Sequence, residues 1–266
     1  MSRIAGVFSA LRATGHSALI PFIEAYDPDY ETSLALLIGM AENGADIIEI
    51  GMPFSDPVAD GPTIQAAGRR GLEAGATLKG VLGLVRAFRQ VNNHIPLVLM
   101  GYLNPIFSYG VKLFCQDAAE AGIDGLIIVD LPTEEADMIL PHAQANQLDI
   151  IRLVSPTTSD DRLKQVLSGS SGFVYFVSIS GITGTHTASA ADLARAIPRI
   201  RAATDLPIAV GFGIRTPEQA ATVAEYADGA IVASALIDTL CKENPAAMLR
   251  DVKALSVGIK KIRKTA

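Results

Sequence analysis

The chain has 266 residues, 49% of them hydrophobic, which is enough to bury one sizeable core, and a single domain over 1–266 is the simplest reading. A formal net charge of -6, with basic residues scattered apart from Lys260-Lys261-Ile262-Arg263-Lys264, excludes a nucleic-acid surface and leaves that tail to read as a solvated helix end. Cys115 and Cys241 have no metal or disulfide spacing, the first eight residues lack a signal-peptide core, and no run approaches about 18 apolar residues, so the expectation is a cytoplasmic protein with reduced thiols, no metal and no membrane span.

Residues 2–13 form an amphipathic segment suited to covering the bottom of a barrel. A first apolar run at 18–23 precedes a helix over 30–41, opened by Asp29 and followed by Gly44. The second run, 46–51, leads into a short loop helix at 62–75 and a helix over 78–91 opened by Thr77. After the run at 96–101 comes another short loop helix, 104–110. Runs at 125–130, 149–154, 173–179 and 207–212 follow, then a helix over 217–226 opened by Pro217, and a last run at 229–233. Nearly continuous apolar strands suit burial on both faces, and their alternation with helices implies a parallel sheet. Eight such units in about 250 residues fit an α/β chain closed into a (β/α)8 TIM barrel better than an open doubly wound sheet.

Active sites of such barrels lie where the strands end. The second strand carries Glu49, and the loop after it carries Asp60. Alone, Glu49 reads as a buried structural acid and Asp60 as a turn residue. Together they suit acid–base chemistry, because burial raises one carboxyl pKa while a better solvated partner stays ionised. Ser180-Gly181-Ile182-Thr183-Gly184, Gly211-Phe212-Gly213-Ile214 and Val232-Ala233-Ser234-Ala235 close the last three strands. Their glycines admit an anion to backbone N–H groups, and Ser234 opens a helix whose N-terminus favours phosphate.

The run Glu49-Ile50-Gly51-Met52-Pro53-Phe54-Ser55-Asp56-Pro57-Val58-Ala59-Asp60-Gly61-Pro62-Thr63-Ile64-Gln65 resembles the signature of tryptophan synthase α subunits, and the similarity runs almost end to end. Pro21-Phe22, Met100-Gly101-Tyr102-Leu103-Asn104-Pro105 and Val129-Asp130-Leu131-Pro132 support it. The resemblance implies retro-aldol cleavage of indole-3-glycerol phosphate, with Glu49 as general acid and base and Asp60 holding the indole N–H. It implies Phe22, Tyr102, Tyr175 and Phe212 around the substrate, Thr183 in a loop that closes over it, and Gly184, Gly213, Ala233 and Ser234 at the phosphate. It implies no cofactor in this chain and a pyridoxal-phosphate-dependent β subunit as partner in an α2β2 assembly, docked through Pro53, Asp56, Asn104 and Pro132.

The first strand departs from that pattern, with Glu24 where the family usually has a hydroxyl residue and Tyr26 where it has glycine. If the chain leaves the strand at Ala25, both point to solvent; if the strand continues regularly, alternation puts both on the side of Phe22, facing the mouth. There Glu24 would repel Glu49 and Asp60, Tyr26 would crowd the substrate, and restoring Thr and Gly would raise activity. The departure keeps open a weakened α subunit acting as a β-subunit activator, or a barrel using Glu24 and Tyr26 for another acid–base reaction. Ala233, usually glycine, is a smaller change that keeps its N–H donor.

Overall fold

The computed structural model describes residues 2–178, 189–211 and 213–264. Nine strands form one parallel sheet: β1 (Ala18–Glu24), β2 (Ile48–Gly51), β3 (Leu97–Gly101), β4 (Gly125–Ile128), β5 (Asp149–Ile150), β6 (Arg152–Val154), β7 (Val174–Val177), β8 (Ile208–Gly211) and β9 (Gly229–Val232). Their order is β5-β4-β3-β2-β1-β9-β8-β7-β6, so the two ends of the sheet are β5 and β6. Only Ile151 separates them in the chain, and its N–H donates to the Leu126 carbonyl at 3.0 Å. The stretch 149–154 is therefore one strand that pairs first with β4 and then with β7, and the sheet closes into an eight-membered barrel.

The helices are α1 (Arg3–Thr14), α2 (Tyr30–Glu42), α3 (Pro62–Glu73), α4 (Leu78–Arg89), α5 (Leu103–Tyr109), α6 (Val111–Ala121), α7 (Leu140–Ala145), α8 (Asp160–Leu167), α9 (Ala190–Arg201), α10 (Pro217–Tyr226), α11 (Ser234–Lys242) and α12 (Pro245–Lys260), with a 3₁₀ turn at Thr133–Met138. Their starts follow from capping chemistry. Asp29 and Thr77 accept the N–H groups of Thr32 and Gly80, and Thr216 with Gln219 makes a reciprocal box before Pro217.

Strand alternation splits the core in two. Ile20, Ile47, Val98, Ile127, Ile151 and Ile231 fill the barrel, while Leu19, Ile48, Leu97, Leu126 and Val174 face the helices. Ile4 and Phe8 of α1 belong to the inner cluster, with Phe8 tilted on Phe173 at 5.8 Å between centroids, so α1 plugs the barrel from below. The plug leaves the opposite end, where the strands finish, as the open mouth.

The basic tail is the exposed end of α12 that the sequence suggested, with Lys260, Lys261 and Arg263 open to solvent. Two of its residues also reach the barrel: Lys260 Nζ sits 3.4 Å from Asp46, and Lys264 donates its backbone N–H to Gly15 and its ammonium to the Ala227 carbonyl.

Candidate active site

The register of the first three strands sets the site's geometry. Phe22 lies opposite Glu49, and Glu49 opposite Val98; one step nearer the mouth, Glu24 lies opposite Gly51, and Gly51 opposite Met100. All six belong to the barrel-facing set, so Glu49 sits one layer below Glu24. Glu49 is 1% exposed, and its Oε2 has no hydrogen-bond partner. Burial, reinforced by the charge of Asp60, pushes its carboxyl up to about 8.

Asp60 is half-buried in the loop between β2 and α3. Its Oδ2 accepts the Tyr102 hydroxyl at 3.0 Å, and that oxygen in turn accepts the Ala59 N–H at 3.0 Å. Tyr102 is fixed by its place at the start of α5 and by the Phe54 ring 5.2 Å away. Burial raises the Asp60 pKa, and the Tyr102 hydrogen bond holds it down. Burial and the neighbouring Asp60 charge raise the Tyr102 phenol, so it remains a neutral donor.

A cleft opens between these groups, lined by Phe22, Glu24, Met52, Asp60, Met100 and Tyr102 among others. Its walls are mostly apolar, with carboxyls at two points, which suits a flat ring carrying a hydrogen-bond donor. Glu49 and Tyr175 do not line it; they lie deeper, and the charges of Glu49 and Asp60 add to burial in raising the Tyr175 phenol. Gly211 makes room for Tyr175, because a Cβ there would meet its hydroxyl at 2.4 Å.

Comparison with known proteins decides what this geometry belongs to. The family model described as "Tryptophan synthase alpha chain" matches residues 8–264. A tryptophan synthase alpha chain of Acidiphilium cryptum is 65% identical over all of both chains, and one of Gluconobacter oxydans is 63% identical over 96% of this chain and 95% of its own. The chain belongs to the tryptophan synthase alpha chain family. Among solved structures, tryptophan synthase subunit alpha from Legionella pneumophila superposes with a TM-score of 0.92 at 41% identity, covering 98% of this chain and all of that one. A Mycobacterium tuberculosis tryptophan synthase chain superposes at 0.90 with 38% identity, covering 97% and 98%.

Within the family's barrel, the two departures of the first strand part company. Glu24 points inward as alternation predicts, is 4% exposed, and lines the cavity. Burial first, then Asp60, Asp27 and Glu49, hold its carboxyl well above the usual range, so the repulsion expected at this point favours its protonated form.

Tyr26 does not share that direction, which corrects the inward assignment. The strand stops at Glu24, and Tyr26 takes φ 65, the left-handed region that glycine adopts freely. That turn swings the ring outward against Tyr30 of α2, edge-on at 5.4 Å, with its hydroxyl over Gly80 of α4, where a Cβ would meet it at 2.4 Å. Tyr26→Gly is therefore expected to leave kcat/KM for cleavage within about twofold of the parent, because the ring is outside the mouth. A rise of tenfold in a steady-state assay would return Tyr26 to the substrate.

On the other side of the mouth, Gly213 has φ 76 just after β8, and Ala233 caps α11 with Ser234 as its first residue. Since β8 and β9 are neighbours, these turns lie side by side. Thr183, Gly184 and Phe212 lie outside the described residues. Asp56 and Pro132 are exposed on loops after β2 and β4, and Asn104 is exposed in the first turn of α5 after β3, while Pro53 is half-buried and packs against the Gly71 position of α3.

Met100, Ile64 and Gly68 line the cavity without having been picked out as site residues. Met100 was legible as an inward position at a strand end. Gly68, a buried glycine in mid-helix, was the only sequence trace of a close approach there. Asp27, 2% exposed, was not singled out in the sequence; Arg70 grips both its oxygens at 2.7 and 2.8 Å and so anchors the turn after β1 to α3. Among the described residues, no group of three or more His, Cys, Asp or Glu is placed to hold a metal, and no helix is long and apolar enough to cross a membrane.

Proposed function

We propose that this chain performs the family's lyase reaction on indole-3-glycerol phosphate with Glu49 and Asp60 as its catalytic pair. The observation that carries the assignment is the buried Glu49 carboxyl, raised to about 8 and with its Oε2 lacking a hydrogen-bond partner among the described residues, one layer beneath a cavity that Asp60 lines. At neutral pH Glu49 is protonated. It gives that proton to the indole carbon bearing the glycerol chain, leaving positive charge on the ring nitrogen. The ionised Asp60 accepts the ring N–H and stabilises that charge. The adjacent chain hydroxyl then returns a proton to the Glu49 carboxylate as the carbon–carbon bond breaks. The bond's electrons restore the indole ring, and the hydroxyl carbon leaves as the aldehyde of glyceraldehyde-3-phosphate. The proton count closes with Glu49 ready for another turn, and no cofactor of this chain takes part.

Phe22 and Tyr102 bound the ring's place, Tyr175 lies beneath it, and Phe212 and Thr183 complete the binding set. The phosphate falls to Gly184, Gly213, Ala233 and Ser234, where backbone N–H groups and the N-terminus of α11 favour an anion. The family implies a β-subunit partner, which carries pyridoxal phosphate and receives the indole, and the finer assembly is α2β2. Its docking surface is Pro53, Asp56, Asn104 and Pro132; Val58 and Phe107, 85% and 48% exposed on the same loops, add apolar area of the kind an interface covers. We place the working enzyme in the cytoplasm, with residues 1–266 as one domain.

The test is direct. Purified protein given indole-3-glycerol phosphate is expected to release indole, faster with a compatible β subunit present. Natively folded protein that releases none under either condition would overturn the assignment.

A further inference from the structure

Glu24 is the buried carboxyl that the mechanism above does not use. The other deeply buried acids have clear employment: Asp27 is gripped by Arg70, and Asp124 takes Arg3, Arg89 and the Leu97 N–H. The Glu24 carboxyl makes no hydrogen bond among the described residues, yet it stands in the wall of the cavity beside Phe22, Asp60 and Tyr102. A buried carboxyl costs free energy unless something satisfies it.

Its space is made for it. A Cβ on Gly51 would lie 2.2 Å from Glu24 Oε2, and a Cβ on Gly68 of α3 would lie 3.7 Å from Oε1. Any side chain longer than alanine at 68 would contend with the carboxyl for the same wall. Asp27, held by Arg70, fixes the turn that starts one residue after Glu24's neighbour Ala25, so the carboxyl has a defined direction.

We propose that Glu24 is a specificity-determining residue of the lyase site, presenting a hydrogen-bonding group to the edge of the bound ring and thereby accepting indole rings that bear a hydroxyl or amino substituent. The inference rests on the lyase reading above. Apart from Asp60, which takes the ring N–H, and its partner Tyr102, the ring's surroundings include Phe22, Met52, Phe54, Ile64 and Met100, whose side chains offer apolar contact and no hydrogen bond. An unsubstituted ring covers Glu24 and strips it of water without replacing the lost bonds. A substituent aimed at Glu24 restores one, and a neutral carboxyl both donates and accepts, so hydroxyl and amino groups are served alike. Sites that pair a polar group with the substrate discriminate against analogues lacking the partner.

The experiment compares cleavage of indole-3-glycerol phosphate with its 4-, 5-, 6- and 7-hydroxyindole analogues by the parent chain, Glu24→Gln and Glu24→Ala. The readout is the ratio of kcat/KM for each analogue to that of the unsubstituted substrate. One hydrogen bond corresponds to roughly threefold to tenfold. At one ring position or more, that ratio is expected to fall by at least about threefold in Glu24→Ala and to be regained in Glu24→Gln, which keeps the length and a donor and acceptor. Smaller changes at every position overturn the proposal. So does a Gln variant that behaves as Ala, because that pattern marks volume and not hydrogen bonding. Calorimetric binding of the free hydroxyindoles and indole to the same three proteins reads the same ratio without turnover. A chain that cleaves nothing fails the lyase assignment, and the affinity ratios still decide on Glu24.

Discussion

Glu49→Gln is expected to lower kcat/KM for indole-3-glycerol phosphate cleavage by ~10²- to 10⁴-fold, the range of a lost general acid–base group. The amide keeps the size of the side chain but neither delivers a proton to the ring carbon nor takes one from the hydroxyl. In the parent, the first step needs protonated Glu49, so kcat/KM should decline as pH rises through about 8. The same substitution should act oppositely on stability. The folded-state pKa stands above the ordinary glutamate value of 4.5, so the neutral carboxyl's contribution is fully present below that value. It is lost progressively as pH rises towards about 8, because folding then requires a buried group to hold a proton that the unfolded chain releases. Glu49→Gln escapes the loss and is expected to gain on the parent by a few kcal/mol at most at pH above 8, at about 1.4 kcal/mol per unit of pKa displacement. Thermal unfolding at acid and alkaline pH, beside rates, checks both halves. A variant that loses stability throughout would mark Glu49 as a paired structural acid, contrary to its unpartnered Oε2.

The barrel was legible because its signal is local. Strands buried on both faces must be apolar along their length, and 18–23 or 229–233 announce themselves without reference to any other segment. Strand ends were less legible, and Tyr26 shows the consequence. Alternation holds only while the strand lasts; Glu24 is its last residue, and two residues later a left-handed turn inverts the expected direction. The resemblance already held a hint, since a position where relatives use glycine is one where φ above zero is to be expected. What no local pattern reveals is the pairing of each unusual side chain with a glycine elsewhere: Glu24 with Gly51 and Gly68, Tyr26 with Gly80. Such matches are made across elements. The repulsion expected among the three carboxyls is present, since the charges of Asp60 and Glu49 raise Glu24, but burial, which enters only through the fold, is the larger cause.

Asp60→Asn is expected to reduce kcat/KM by ~10²- to 10³-fold, the scale of losing a placed electrostatic partner of the transition state. The developing charge is on the ring N–H, which the parent meets with a carboxylate oxygen. An amide has at best a neutral oxygen to offer, and its NH₂ face opposes the ring donor. Two changes in the pH profile should accompany the loss. The acid limb arising from protonation of Asp60 disappears, and the alkaline limb moves below about 8, because the Asp60 charge is one of the two causes that raise Glu49. Tyr102→Phe tests the same carboxylate from the other side. It removes the hydrogen bond that lowers the Asp60 pKa, so burial is left unopposed and the acid limb moves to higher pH. If Tyr102 acts on the reaction's charge only through Asp60, that shift has nothing to act on once Asp60 is Asn. In a double-mutant cycle the two substitutions are then strongly non-additive. Full additivity would instead assign Tyr102 an independent contact with the substrate, and an Asp60→Asn protein within about threefold of the parent would remove Asp60 from the catalytic pair, since a placed charge partner is worth far more than that.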